Sequence, residues 1–440
     1  MRKLIIALSL TCALSVSSAN AQAGYVPTEA NRQARKEFSE RRLGIFLHWG
    51  VYSMFAQGEW YYQTKRLARE PYMAAAAGFD PARFNASEWA RAFKDAGAGY
   101  VCLTTRHCDG FSLWPSDATE FDMDATPSKR DLVGELTQAV KAEGMRMHFY
   151  YSLMDWIRED YPPSTKDLRK DPAKADYNHY FEFMKAQIRE LMTRYHPGGF
   201  WLDGWFDHKN DPEPFNWRLD ELYSLIHGID DACLIGNNHH IEPFPGEDFQ
   251  MFERLFPGDK IAGRLHYVSR EVPLEMCEPI NDSWGFKVED RNYKSVKNLI
   301  RLLVRNTSRD ANLLLNIGPY ASGALPDEAL ERLKGIGEWM RQYSRTVNGC
   351  GSAGYVEQPW GYVTRNENSI FLHVFDPATL PSNGSMTRLT LPFSGRIASV
   401  NRLDSAGKCN WKLSKDGFFT VAFNDPAPDA IDTIIEISLK

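Results

Sequence analysis

Six times along this chain a short apolar run ends abruptly in polar residues, and a stretch of helical periodicity follows. Residues 44–47 run into His48-Trp49-Gly50, residues 100–105 into Arg106-His107-Cys108-Asp109, and residues 145–152 into Met154-Asp155-Trp156. Residues 198–202 end in Asp203-Gly204, residues 233–236 in Asn237-Asn238-His239-His240, and residues 312–316 close the series. The runs have the length and apolarity of strands buried on both faces. The stretches 85–97, 131–143, 177–195, 217–229, 296–309 and 330–347 supply helices to cross between them. Asn85 and Glu88 form a capping-box-like start for the first of these, and Gly144 stops the second.

Two architectures accept such a series. A doubly wound open sheet calls for a glycine-rich phosphate loop at a strand–helix turn, and the sequence contains none. A (β/α) TIM-like barrel accommodates roughly 320 residues of this pattern and places everything that follows a strand on one face. His48, His107, Asp155, Asp203 and Asn238 then converge. The barrel is expected over residues 25–350. Beyond it the texture changes to short β-rich runs separated by Pro, Gly, Asn and Asp, the pattern of a small antiparallel β-sandwich over residues 354–440.

Residues 1–21 read as a secretory signal: Met1-Arg2-Lys3, an apolar run over 4–16, and Ala19-Asn20-Ala21 before the cleavage point. The run is too short to span a bilayer, so the mature protein is expected to be exported, periplasmic or secreted, with no membrane span. Cys102, Cys108, Cys233, Cys277, Cys350 and Cys409 remain after cleavage, scattered too widely to assign a bridge. A net charge of −6 with no basic stripe argues against a nucleic-acid partner.

The polar face suits glycoside hydrolysis, which needs two carboxyl groups across one sugar ring. Asp203, flanked by Trp201 and Trp205, is the expected ionised member, and the proton donor is expected from a later loop. Glu253 and Glu275 each stand beside bulky apolar residues, an environment that holds a proton near neutral pH, and the residues alone do not separate them. Glu59 is followed by Trp60, Tyr61 and Tyr62, as a pocket wall would be. Asp155 reads equally as a site residue or a helix cap. His239-His240 and His107-Cys108-Asp109 invite a metal reading, but no His-Glu-x-x-His spacing accompanies them, and no metal is expected.

Seven motifs occur in order: His48-Trp49-Gly50, Glu59-Trp60-Tyr61, His107-x-Asp109-Gly110-Phe111-x-x-Trp114-Pro115-Ser116, Tyr150-Tyr151-Ser152, Trp201-Leu202-Asp203-Gly204, Ile280-Asn281-Asp282-Ser283-Trp284-Gly285 and Leu314-Leu315-Asn316-Ile317-Gly318-Pro319. Together they resemble the exo-acting α-L-fucosidases, a family of retaining glycoside hydrolases. The resemblance implies a (β/α) barrel, no cofactor or metal, double displacement, and a fucosylated oligosaccharide or glycoconjugate as substrate. By resemblance Asp203 is the nucleophile, and His48, Glu59, His107, Tyr151 and Trp201 match positions lining the fucose pocket. Trp49 and Trp60, beside two of these, are further substrate-binding candidates. Glu253 is the first choice for the acid/base and Glu275 the second. The chain departs from the family at Cys108, where a second His is usual and a thiol is a poor substitute donor, and at Leu274, where Trp is common. A second reading keeps the aromatic pocket but not the chemistry: an exported carbohydrate-binding protein, which turnover of an aryl α-L-fucoside would exclude.

Overall fold

The structure, a computed structural model, describes residues 24–164, 169–261, 264–403, 409–424 and 431–440. The expected signal segment lies outside the described residues. Eight parallel strands form one sheet: β1 Leu43–Leu47, β2 Tyr100–Arg106, β3 Arg146–Ser152, β4 Gly199–Asp203, β5 Leu234–Asn237, β6 Gln250–Glu253, β7 Leu274–Pro279 and β8 Ala311–Ile317. Their order, β5-β4-β3-β2-β1-β8-β7-β6, brings β5 and β6 round to face each other in a nearly closed barrel. The six expected strands are all present. The other two, β6 and β7, carry the two glutamates that sequence reasoning placed on loops. Among the described residues no helix separates these strands, and a short hairpin (Lys260–Ile261 with Arg264–Leu265) lies between them, so the alternation that exposes the other strands is missing here.

At the β5–β6 seam one residue, Asp248, takes the place of a ladder. Asp248 donates its backbone N–H to the Ile235 carbonyl at 2.6 Å, and its carboxylate accepts the Ile235 N–H at 2.8 Å. The same carboxylate pairs with Arg35 of α1 (Glu29–Glu40). That helix plugs the lower end of the barrel, the Phe38 ring lying 5.1 Å from Tyr100 and 5.0 Å from Phe249.

The outer helices bury one stripe each against the sheet. In α2 (Ala86–Asp95) that stripe is Trp89, Ala90 and Phe93, and Asn85 caps the start by accepting from the Glu88 N–H while donating to the Glu88 carboxylate. Strand residues alternate between two cores. Phe46, Cys102, Tyr150, Trp201, Met251, Cys277 and Leu314 point into the barrel, whereas Ile45, Leu103, Tyr151, Leu202, Phe252 and Leu315 pack against the helices. Gly44 is required by the inner layer: a Cβ there would lie 2.3 Å from the Tyr100 ring.

After the barrel come two antiparallel sheets. One pairs Gly351–Ser352, Gly361–Arg365, Ser369–Val374, Thr433–Leu439 and Ile397–Arg402; the other pairs Met386–Pro392, Phe418–Asn424 and Cys409–Leu413. Leu372, Leu389, Phe419, Val421 and Ile435 fill the space between them. Arg345 clamps this unit to the barrel through two hydrogen bonds to Glu436. Cys102, Cys108, Cys233, Cys277 and Cys350 are buried free thiols. Among the described residues no helix is long and apolar enough to cross a membrane.

Candidate active site

The strands end in a small pocket of about 110 Å³ lined by residues from all round the rim, among them His48, Glu59, His107, Tyr150, Trp201, Asp203, Asn238, Glu253 and Trp284. That is below the ~300 Å³ at which sites for drug-sized ligands begin, and it suits a single sugar ring rather than a chain. Six aromatic side chains besides the two imidazoles line it, together with several donors, and among the described residues no phosphate-binding loop reaches it.

Asp203 is the last residue of β4. Gly204 follows with φ +99°, a conformation in which a Cβ would press on Met154 at 2.9 Å, so the sharp exit needs glycine. The Tyr150 hydroxyl donates to Oδ2 of Asp203 at 3.0 Å, and the Asn238 amide donates to Oδ1 at 3.2 Å. Burial raises the Asp203 carboxyl to about 6, with the negative charge of Glu253 adding to the effect and these hydrogen bonds opposing it.

Glu253 ends β6 about a third exposed, on the open side of the pocket. The same Asn238 nitrogen donates to its Oε2 at 2.9 Å. One oxygen of each carboxylate therefore lies at most about 6 Å from the other, so both acids address the same small pocket. Arg254, next in the chain, takes a left-handed φ of +54°. Its N–H bonds the Cys277 carbonyl and its guanidinium bonds the Asp282 carbonyl at 2.6 Å, which holds the corner despite the cost for a non-glycine residue.

The two pocket imidazoles are neutral. Burial pushes His48 down to about 3, and His107 well below its ordinary value. The Asn316 amide nitrogen donates to the Trp284 carbonyl, so its oxygen faces His48 Nδ1 at 2.7 Å as acceptor. This arrangement fixes the proton on Nδ1 and leaves Nε2 of His48 to accept a hydroxyl. Glu59 accepts the Gly285 N–H at 2.8 Å, and burial raises its carboxyl above the ordinary range.

A family model described as Alpha-L-fucosidase matches residues 12–345. The chain belongs to the alpha-L-fucosidase family. Tissue alpha-L-fucosidase of Homo sapiens is 28% identical, over 99% of this chain and 96% of the human one. Alpha-L-fucosidase isoenzyme 1 from Paenibacillus thiaminolyticus is 31% identical and superposes with a TM-score of 0.79, covering 93% of this chain and all of that one. A GH29 alpha-L-fucosidase from Bacteroides thetaiotaomicron, solved as a trapped covalent intermediate with 2-fluoro-fucosyl fluoride, superposes at 0.80 with 25% identity, covering 96% and 98%. The chain is thus a glycoside hydrolase with an α-L-fucosidase's barrel and sandwich.

The pocket brings together His48, Glu59, Trp60, His107, Trp201, Asp203 and Glu253 of the residues expected from sequence. Three others lie elsewhere. Tyr151 points outward, its hydroxyl bonded to Gln187 at 2.8 Å, and Tyr150 takes the inward place because neighbouring strand residues face opposite ways. Trp49 is buried outside the barrel against Phe84 and Trp89, with its indole N–H on the Tyr320 carbonyl. Glu275 is sealed inside the barrel, 1% exposed, bonded to Tyr100 and Trp201 and absent from the pocket wall. Asp155 is held in a buried ion pair with Arg106 and also accepts the Ile157 and Arg158 N–H groups. Cys108 lies behind the pocket, where its sulfur accepts from Ser152 at 3.2 Å.

Sequence reasoning did not assign Tyr150, Trp284, Phe46 or Phe206 to the pocket. Asn238 was legible as a residue following a strand, but not as the bridge between the two acids. Tyr150 could have been found from alternation alone, since it shares a face with His148 and Ser152.

Proposed function

We propose that this chain is an exo-acting, retaining α-L-fucosidase in which Asp203 is the nucleophile and Glu253 the general acid/base. The observation that carries the reading is the Asn238 amide, one nitrogen donating to both carboxylates. With an oxygen of each acid within about 6 Å of the other, the pair is closer to the ~5–5.5 Å spacing of retaining enzymes than to the ~6.5–9.5 Å that seats a water between the second carboxylate and the sugar, and this favours direct attack by Asp203. Asp203 attacks the anomeric carbon while Glu253 gives its proton to the departing glycosidic oxygen. In the second step Glu253 takes a proton from water, which displaces Asp203 and releases fucose with its configuration kept. Glu253 keeps about a third of its side chain exposed, as a group that meets leaving group and water must. The covalent intermediate captured in the Bacteroides thetaiotaomicron relative supports the same order of events.

The pocket's size favours removal of one terminal fucose, with the rest of the oligosaccharide or glycoconjugate outside. His48 Nε2, neutral His107 and Glu59 offer acceptors and a donor for its hydroxyls, and Trp201 and Trp284 offer flat faces for its C–H groups. We place the mature enzyme outside the cytoplasm on the strength of residues 1–21. The deciding experiment is hydrolysis of an aryl α-L-fucoside followed by NMR. Fucose first released as the α-anomer supports the reading; first release of the β-anomer, or binding without turnover, overturns it.

A further inference from the structure

Beneath the pocket the barrel holds a carboxyl group that the mechanism does not use. Glu275, on β7, accepts from the Trp201 indole N–H at 2.9 Å with one oxygen and from the Tyr100 hydroxyl with the other. Both hydrogen-bonding partners are neutral, and burial raises the group to about 7. An interior carboxyl without a cation is costly, and the fold makes further room for its partner by leaving Gly44 without a side chain against the Tyr100 ring. What this arrangement fixes is an indole. Trp201 and Asp203 are two apart on one strand face, so the ring lies directly below the proposed nucleophile. It stacks on Tyr150 with centroids 5.6 Å apart at 22°, and Tyr150 donates to Asp203; on its other side it meets Phe46 at 5.1 Å.

We propose that Glu275 is a positioning residue, anchoring the Trp201 indole as the floor of the sugar pocket. The inference rests on the pocket being the fucose site. Because the floor contacts the sugar in ground and transition states alike, its loss acts on KM rather than on kcat. Without its acceptor the indole is no longer pinned against the Tyr150 ring and must reorder when the sugar binds, so Glu275→Met should raise KM for an aryl α-L-fucoside about tenfold, with kcat changed less than about threefold. Glu275→Gln keeps an oxygen for the indole and should recover most of the loss. Trp201→Phe removes the N–H from the other side; it should itself raise KM, and in that background Glu275→Met should add little. If Glu275→Met does not fold, the Glu275→Gln and Trp201→Phe pair carries the test: KM near wild type in the first and raised in the second. Unchanged KM in Glu275→Met, or an equal effect in the Trp201→Phe background, overturns the proposal. So does a loss of kcat in Glu275→Gln that grows with poorer leaving groups, for that would make Glu275 the proton donor. A Trp201→Phe variant with wild-type KM would instead count against the pocket itself.

Discussion

Glu253 and Glu275 sit on neighbouring paired strands, in a register that sets Met251 beside Glu275 and Glu253 beside Cys277. Two residues along a strand, about 7 Å, thus separate a carboxyl group that reaches solvent from one that does not. The upper one shares an amide with Asp203 and faces the pocket mouth. The lower one meets only an indole, a phenol and the barrel wall. Residue type is the same at both places; depth decides whether a carboxyl group can exchange a proton with a substrate or can only hold a neighbour.

The largest expected break between the two depths is at Asp203. Asp203→Ala should lower kcat/KM on the order of 10⁴-fold or more while circular dichroism stays native, and azide should restore turnover with the opposite anomeric outcome. Next comes Glu253→Gln, expected to cost about 10²–10⁴-fold with natural glycans and far less with activated aryl fucosides. The same variant sharpens the electrostatics. Glu253 raises the Asp203 carboxyl, so the acid limb of kcat/KM, expected near 6 in the wild type, should move to lower pH without it. Equal sensitivity of good and poor leaving groups would remove Glu253 from the proton-transfer role.

Tyr150→Phe is expected to be milder, about tenfold in kcat/KM. The lost hydrogen bond favoured the ionised Asp203, so here the acid limb should move up, opposite to Glu253→Gln. Smallest is an effect on stability. Asp203, Glu275 and Asp109 have folded values of about 6, 7 and 7, all above those of ordinary carboxyl groups. Between pH about 4 and 7 the folded protein keeps protons that the unfolded chain has released. The stability these groups contribute is therefore fullest below pH about 4 and is lost as pH rises through 6–7. Tm should fall from pH 5 to pH 8, and Glu275→Gln should make that fall shallower.

Much of this was legible in the sequence because a barrel repeats itself. Strand–helix alternation gave six strands and the face on which His48, His107, Asp203 and Asn238 meet. It failed where the repeat lapses: β6 and β7 are joined without a helix, so Glu253 and Glu275 read as loop residues with nothing to rank their depth. The motif neighbours misled for a simpler reason. Tyr151 and Trp49 stand next to pocket residues in the chain, and on a strand or just past its end that adjacency sends a side chain to the other side. The sandwich strand Cys409–Leu413 carries no strand signal, because most of its side chains, Trp411 among them, are exposed and impose no apolar alternation.

The seam between β5 and β6 has a mechanical consequence. Asp203 ends a strand paired on both sides, with β3 and β5, whereas Glu253 ends a strand paired on one side only, its other edge facing the seam that Asp248 fastens lower down. Unlaced backbone opens at less expense than laced backbone. In the proposed mechanism this mounts the attacking group on the stiffer part of the wall and the proton carrier on the more compliant part, so that the carrier can approach first a departing alcohol and then a water without unseating the bond being made.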